Sequence, residues 1–310
     1  MNLSIGATLF DKNPSKALQL RELLLRGLLS FSAIISICVT LGIVYILSTE
    51  AFLFFSSGEV SLLEFFSSIE WQPVIDKFGI LPLLNSTLMT SFIAMLVAGP
   101  LGIFAAIYMS EYASNNFKAR VKPILEILAG IPTIVYGYFA LTFITPFLKN
   151  IFGHDVVDVY NTASAGIAMG ILIFPMIASM SEDALSAVPS GLRQAAYGLG
   201  ATKLEVSTGI IVPSAISGIM AAFIVGLSRA VGETMIVALA AGAGSNFTFN
   251  PFKSAETMTG YIARISGGDI GYDTVDYNSI FAIGIFLFII TLVLNIISQK
   301  IIGRYREIYD

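Results

Sequence analysis

The chain has 310 residues, of which 55% are hydrophobic and 12% are charged, and its formal net charge is −4. Soluble domains carry about 25% charged residues, so this composition predicts an integral membrane protein and argues against a soluble domain. The apolar runs fill the length and leave no room for a separate globular domain. The negative net charge also provides no basic surface for nucleic acid.

Six apolar runs are long enough to be transmembrane helices, for which about 20 residues are needed. They cover residues 27–49, 84–109, 123–148, 162–181, 208–243 and 279–302. The sequence therefore predicts an all-α integral membrane protein, with a segment 1–26, a six-span domain 27–302 and a tail 303–310. The first run lacks a small-residue cleavage site, so we expect it to be retained. The fifth run exceeds one span, which predicts an additional entry segment or a break near its glycines.

Positive charges are divided unequally between the two sides of these spans. Of the 17 Lys and Arg residues, twelve lie on the side of the termini, four on the opposite side and one within the fifth run. Since Lys and Arg favour cytoplasmic loops, both termini and the loop at about 183–203 are predicted to be cytoplasmic. The outer loop at about 50–83 has the mixed aromatic and acidic composition of an interfacial segment. The turn-rich outer loop at about 244–278 is either solvated or a docking surface for an external protein.

Two opposite charges, Arg229 and Glu233, lie in the fifth run. An Arg at the bilayer centre costs roughly 2.5–3.5 kcal/mol on insertion scales, so it faces protein or a water-filled path. On a continuous helix, residues four apart share a face and can pair. We expect Arg229 to offer its donors to a tetrahedral oxyanion while Glu233 holds it in place. The alternative is a neutralising pair that only fixes helix packing.

The loop before the fifth run contains Gln194, Ala195, Ala196 and Gly200, and Pro213 follows. The two alanines would keep a helix surface flat for close packing, and Gly200 permits a turn without a Cβ penalty. Pro213 suits the first turn of a helix. This pattern predicts a helix that docks a partner protein, and a Trp at Ala196 should weaken that docking. The alternative is a plain connector between two spans.

Glycine and proline interrupt several runs, most clearly before Thr133. In a membrane, such breaks persist only where protein or water satisfies the freed backbone groups. Thr133 and Tyr136 are three residues apart, so their hydroxyls share one helical face and could line a pathway. Helix packing through small residues is the alternative.

No catalytic or metal site is predicted. Cys38 is the only cysteine, which excludes an intrachain disulfide and a multi-Cys metal site. His154 is the only histidine and has no adjacent Ser or Cys to activate. The spacing of Asp269, Asp273 and Asp276 does not fit an EF-hand loop. The chain lacks a Gly-x-x-x-x-Gly-Lys-Ser/Thr loop, so nucleotide-driven coupling would reside on another chain.

Four segments together resemble the phosphate ABC importer permeases. They are residues 107–112, 130–137, 194–213 and 228–235. Two positions differ from the usual family pattern, since Gln194 stands in place of Glu and Val212 in place of Leu. The Glu-Thr-Met ending of the last segment, with the long outer loop that follows, resembles the PstC-type subunit more than its PstA-type partner.

The resemblance implies a type I ABC importer permease fold in a bacterial inner membrane, surrounded by lipid. It implies a phosphate pathway shared with a PstA-like permease subunit, two copies of a cytoplasmic ATPase that bind ATP and Mg²⁺, and an extracytoplasmic phosphate-binding protein. This chain itself would bind no cofactor. The alternatives are a permease for another oxyanion, the PstA-type subunit, or a secondary anion transporter. Many secondary transporters show repeated spans, and the pattern at Arg229 and Glu233 has no second copy.

Overall fold

The structure, a computed structural model, describes residues 16–58, 60–268, 271 and 274–305. The chain divides into two compact units, Met1–Thr49 and Glu50–Asp310. Asp269 and Asp273, whose spacing does not fit an EF-hand loop, lie outside the described residues.

The described residues are mostly helical. The helices are α1 (Lys16–Ser56), α2 (Leu62–Ser67), α3 (Leu81–Ile107), α4 (Asn115–Ala129), α5 (Thr133–Phe139), α6 (Thr145–Phe152), α7 (Thr162–Ser186), α8 (Ser190–Gly198), α9 (Lys203–Val206), α10 (Val212–Ser214), α11 (Ile216–Val231), α12 (Met235–Ala240), α13 (Met258–Ser266) and α14 (Val275–Tyr305). Two short strands, β1 (Trp71–Gln72) and β2 (Lys77–Phe78), pair antiparallel with Trp71 opposite Phe78. Wider π-helical turns follow α3, α5 and α9.

Within the part of the chain that the structure describes, five helices are long and apolar enough to cross a membrane. They are Leu20–Ser56, Leu81–Tyr112, Thr133–Phe152, Thr162–Ser186 and Val275–Ile301. A bent pair, Lys203–Ser214 and Ile216–Val231, makes a sixth span if it is counted as one. The predicted all-α, six-span class is confirmed in this sense.

Two of the predicted runs differ from the helices of the structure. The third run was expected to begin at residue 123, but α4 ends at Ala129 and Pro132 precedes the new helix α5. Proline disfavours helical geometry in the residue before it, which separates the two helices here. The fifth run is bent by 68° at Ala215 and is interrupted again at Gly232, so the expected break is present.

The described part of the first unit is one continuous helix, which runs from Lys16 through Thr49. Large apolar side chains on it are exposed, including Leu23 at 69% and Tyr45 at 70%. A helix that is apolar all round is stable only in an apolar environment such as lipid or another protein.

The first outer loop is more structured than the predicted interfacial segment. Trp71 and Phe78 of the hairpin pack edge to face with ring centroids 5.8 Å apart, and Phe54 lies 5.2 Å from Phe78. Phe65 of α2 and Trp71 are both buried in this aromatic cluster. Only the remaining exposed apolar side chains, such as Leu63, are available to a membrane interface.

The centre of the second unit is the packing of α7 against α3. Gly166 and Gly170 are four residues apart on α7, and each lies directly against α3. A Cβ at Gly170 would lie 2.7 Å from Val97 Cβ and 2.9 Å from the Ala94 carbonyl oxygen. Small residues at this spacing allow two membrane helices to approach closely.

We expect Gly170→Ala to destabilise this contact by about 1–3 kcal/mol, because the added methyl overlaps backbone and a β-branched side chain. The measurement is the unfolding temperature of the detergent-solubilised protein. Gly42→Ala is the matched control, since a Cβ there meets nothing within 4 Å. Equal unfolding temperatures for the two variants would contradict the packing role of Gly170.

Candidate functional site

The charged part of the fifth run lies at a helix break. α11 ends at Val231 and α12 begins at Met235, with Gly232 between them. Because the helix does not continue, Arg229 and Glu233 do not lie on one helical face, and none of the ion pairs among the described residues joins them. The predicted pairing at helical spacing is therefore wrong.

Glu233 instead organises the break. Its side chain is buried, and its Oε1 accepts hydrogen bonds from the backbone N–H groups of Met235 at 3.1 Å and Ile236 at 3.3 Å. These are two of the N–H groups that the first turn of α12 cannot satisfy internally. The Thr259 hydroxyl at the start of α13 donates to the Glu233 carbonyl oxygen at 2.6 Å. Glu233 thus caps α12 and connects it to α13.

Arg229 lines a cavity of about 310 Å³ between α4, α7 and α11, here named the Arg229 cavity. Lys122 and Glu126 of α4 and Ser179 of α7 are also in its lining, and the rest is mostly apolar. Arg229 is exposed, and no ion pair of the described residues includes it. Its guanidinium donors therefore remain available at the wall of this cavity.

The other cation of the lining, Lys122, is already neutralised. Its Nζ lies 2.5 Å from Glu182 Oε2 and 3.4 Å from Asp183 Oδ1, both on α7. The hydrogen bond with Glu182 raises the pKa of Lys122, against partial burial, which lowers it. Arg229 is thus the cation of the cavity that lacks an acidic partner in the described part of the chain.

Tyr136 lies beside the break between α11 and α12, and its hydroxyl is already used in a hydrogen bond within the chain. Tyr136 is buried in one apolar cluster with Ala230 and Ile236, and its hydroxyl donates to the Leu128 carbonyl at 2.8 Å. That bond bridges the separation between α4 and α5. Thr133, the first residue of α5, is half-buried. A pathway role for Thr133 and Tyr136 stays a prediction.

The predicted docking segment forms α8, a short helix between α7 and α9. Gln194 and Ala195 are exposed on it, and Gly200 has φ of +84°, the left-handed conformation expected at a glycine turn. Ala196, however, is 5% exposed and packs into the chain's own apolar cluster. The prediction that Ala196 offers a flat surface to a partner is wrong, because successive helical residues point in different directions. Leu199 is 90% exposed instead.

Arg193 fixes α8 to the ends of two spans. Its Nη1 donates to the Val188 carbonyl, and its Nη2 donates to the Leu185 carbonyl at 2.8 Å and to Glu111 Oε1 at 3.1 Å. Leu185 belongs to the last turn of α7, and Glu111 to the π-helical turn after α3. Sequence reasoning missed this contact, since no local pattern relates residues so far apart in the chain.

Comparison with known proteins identifies a family of membrane transport proteins to which this chain is similar. Residues 98–307 match the family described as binding-protein-dependent transport system inner membrane component. The chain is 30% identical over 311 residues to the probable ABC transporter permease protein YqgH of Bacillus subtilis (strain 168), with 98% of each chain covered. It is 34% identical over 259 residues to the phosphate transport system permease protein PstC of Xylella fastidiosa (strain Temecula1), with 77% of this chain and 78% of the relative covered.

Solved structures show the same fold at lower identity. A bacterial alginate ABC transporter in complex with an alginate-bound periplasmic protein aligns with a TM-score of 0.63 and 18% identity, covering 92% of this chain and 95% of the other. The inward-facing MetNI methionine ABC transporter aligns with a TM-score of 0.53 and 22% identity, covering 74% and 95%. The chain therefore belongs to the binding-protein-dependent transport system inner membrane component family and has the type I ABC importer permease fold.

Proposed function

We propose that this chain is a membrane subunit of an ATP-driven importer of inorganic phosphate. The observation that carries the proposal is Arg229, an exposed cation without an acidic partner among the described residues, at a cavity beside a broken span. A guanidinium presents a planar fork of donors that matches the oxygens of phosphate. Relatives named phosphate transport system permease protein PstC support the choice of substrate.

The exposed side of α8 supports docking of an ATPase. Gln194 and Ala195 on α8 and Leu199 directly after it are exposed, while Arg193 fixes the helix to the ends of α3 and α7. Two ATPase copies, which bind ATP and Mg²⁺, would engage this chain and a PstA-like permease subunit. A phosphate-binding protein would deliver substrate at the opposite end. In this arrangement the chain spans a bacterial inner membrane, in contact with lipid, with both termini in the cytoplasm.

The test is uptake of radiolabelled phosphate by the complete importer in proteoliposomes, assembled by co-expressing this chain with a PstA-like permease, an ATPase and a phosphate-binding protein from the same bacterium. We expect uptake that requires both ATP and the binding protein, and unlabelled phosphate should compete better than sulfate. Preference for sulfate would favour the other candidate, a permease for a different oxyanion. Uptake driven by an ion gradient without ATPase would reject the importer and favour a secondary transporter.

A further inference from the structure

A second cavity, of about 320 Å³, lies between α12 and α13 and is here named the Arg264 cavity. It is at the opposite end of the second unit from α8. The Ala240 carbonyl at the end of α12 accepts from the backbone N–H of Asn161, next to the first residue of α7. The Arg229 cavity, by contrast, is lined by Met176 and Ser179 in the second half of α7. The two cavities therefore lie on opposite sides of the helix break.

The Arg264 cavity contains one ion pair in an otherwise apolar and glycine lining. Arg264 Nε donates to Glu256 Oε1 at 2.6 Å, and Nη2 donates to Glu256 Oε2 at 3.0 Å. The backbone N–H of Gly244 also reaches Oε2, at 3.4 Å. The Tyr261 ring lies 5.4 Å from the guanidinium carbon. The Glu256 carboxylate thus holds one edge of the Arg264 guanidinium, and the Tyr261 ring lies next to it.

Burial differs sharply between the two partners of this pair. The Glu256 side chain is 3% exposed, whereas the Arg264 side chain is 48% exposed. The negative charge is therefore behind the cavity wall, and the positive charge is at its surface. Arg264 bonds Glu256 through Nε and Nη2. Its Nη1 makes no hydrogen bond with any of the described residues. That group remains available as a donor.

Stability alone does not account for such an arrangement. Replacing a buried ion pair by apolar residues of similar volume is often neutral or stabilising, so the burial of the Glu256 carboxylate beside a half-exposed arginine is weak evidence for a purely stabilising role. A guanidinium fixed by a carboxylate loses little freedom when it binds a second oxyanion, because its orientation is already set. An arginine held in this way is suited to bind a tetrahedral oxyanion.

We propose that Arg264 is an oxyanion contact in the outer half of the pathway, which phosphate meets before it reaches Arg229. This inference rests on the proposed function and extends it to a second site. Both cavities adjoin the same broken segment, since Met235 lines the Arg264 cavity and its N–H is capped by Glu233. Thr259 of α13 bonds the Glu233 carbonyl, which connects the element that carries Arg264 to the break.

The test uses the complete importer in proteoliposomes, with Cys38→Ser as the background because Cys38 is the only cysteine. In that background, Arg264→Cys should lower phosphate uptake about 10-fold, the effect of losing one hydrogen bond to a charged group. A methanethiosulfonate reagent that attaches an ammonium group should restore part of the uptake, and an anionic reagent of similar size should not. Free phosphate should slow the modification.

Lys253→Cys is the matched control. Lys253 is at the same end of the unit, is 43% exposed and pairs with Asp158 at 3.1 Å, but it does not line the Arg264 cavity. Its uptake should stay near that of the background, and phosphate should not protect its thiol. Equal behaviour of Arg264→Cys and Lys253→Cys would overturn the inference. So would protection of the Arg264→Cys thiol that depends on anionic lipid instead of free phosphate.

A folding defect would also be decisive. Arg264→Cys leaves the buried Glu256 without its partner, so Arg264→Cys with Glu256→Gln is made in parallel to remove that charge. If the double variant assembles and shows the expected loss, charge rescue and phosphate protection, the contact role holds. If neither variant assembles, the pair is structural and the inference is rejected. Uptake by the background protein separates the two claims, because its absence would instead reject the proposed function.

Discussion

Leu199→Glu should release the ATPase from this chain while leaving the chain in the membrane. Leu199 follows α8, immediately before the left-handed turn at Gly200, and is 90% exposed. We expect a large apolar side chain this exposed, next to the proposed docking helix α8, to anchor the ATPase, and truncating an interface hot spot costs about 2 kcal/mol or more. Placing an unpaired charge there should therefore lower ATPase copurification by at least about 10-fold.

Two further variants make this result interpretable. Asn116→Glu adds the same charge at an exposed position near the start of α4 and should leave copurification unchanged. Ala196→Leu enlarges a side chain buried in the chain's own cluster, so it should reduce the amount of folded protein in the membrane. Full ATPase copurification with Leu199→Glu would show that the partner does not bind at this turn.

The sequence was sufficient for the class of fold because apolar length is a direct physical requirement of a membrane span. Runs such as 162–181 and 279–302 contain enough apolar residues to cross a bilayer and appear as α7 and α14. Hydrophobicity alone does not locate a break inside an apolar run. The separation of α4 from α5 and the bend of 68° at Ala215 depend on how the chain packs.

At the candidate site, too, the sequence pattern does not show which individual side chains are buried or paired. Gln194, Ala195 and Ala196 are adjacent in a recognisable pattern, yet only packing against α7 and α9 determines that Ala196 is the buried one. Spacing is equally ambiguous for Arg229 and Glu233, because residues four apart pair only if the helix between them is intact. The contact of Arg193 with Glu111 joins distant parts of the chain, so no local pattern predicts it.

The roles of Arg229 and Glu233 can be separated, because the structure gives them different partners. If they formed an ion pair, Arg229→Gln and Glu233→Gln should impair phosphate uptake equally. In the structure, Glu233 acts as an acceptor for two N–H groups of α12, and a Gln at that position retains a carbonyl oxygen for them. What it loses is the favourable charge at the helix start, about 0.3–1 kcal/mol. Uptake by Glu233→Gln should therefore stay within a few-fold of wild type.

Arg229→Gln should instead reduce uptake by at least about 10-fold at normal membrane abundance, since each lost hydrogen bond to a charged group is worth about 1.5–3 kcal/mol. Arg229→Lys should be intermediate, because Lys retains the charge and lacks the planar fork. Glu233→Ala completes the set, since it removes the acceptor and should destabilise the chain by about 1 kcal/mol. The measurement is phosphate uptake per assembled complex. Equal losses in the two Gln variants would support the ion pair, and normal uptake by Arg229→Gln would reject a role for Arg229 in the pathway.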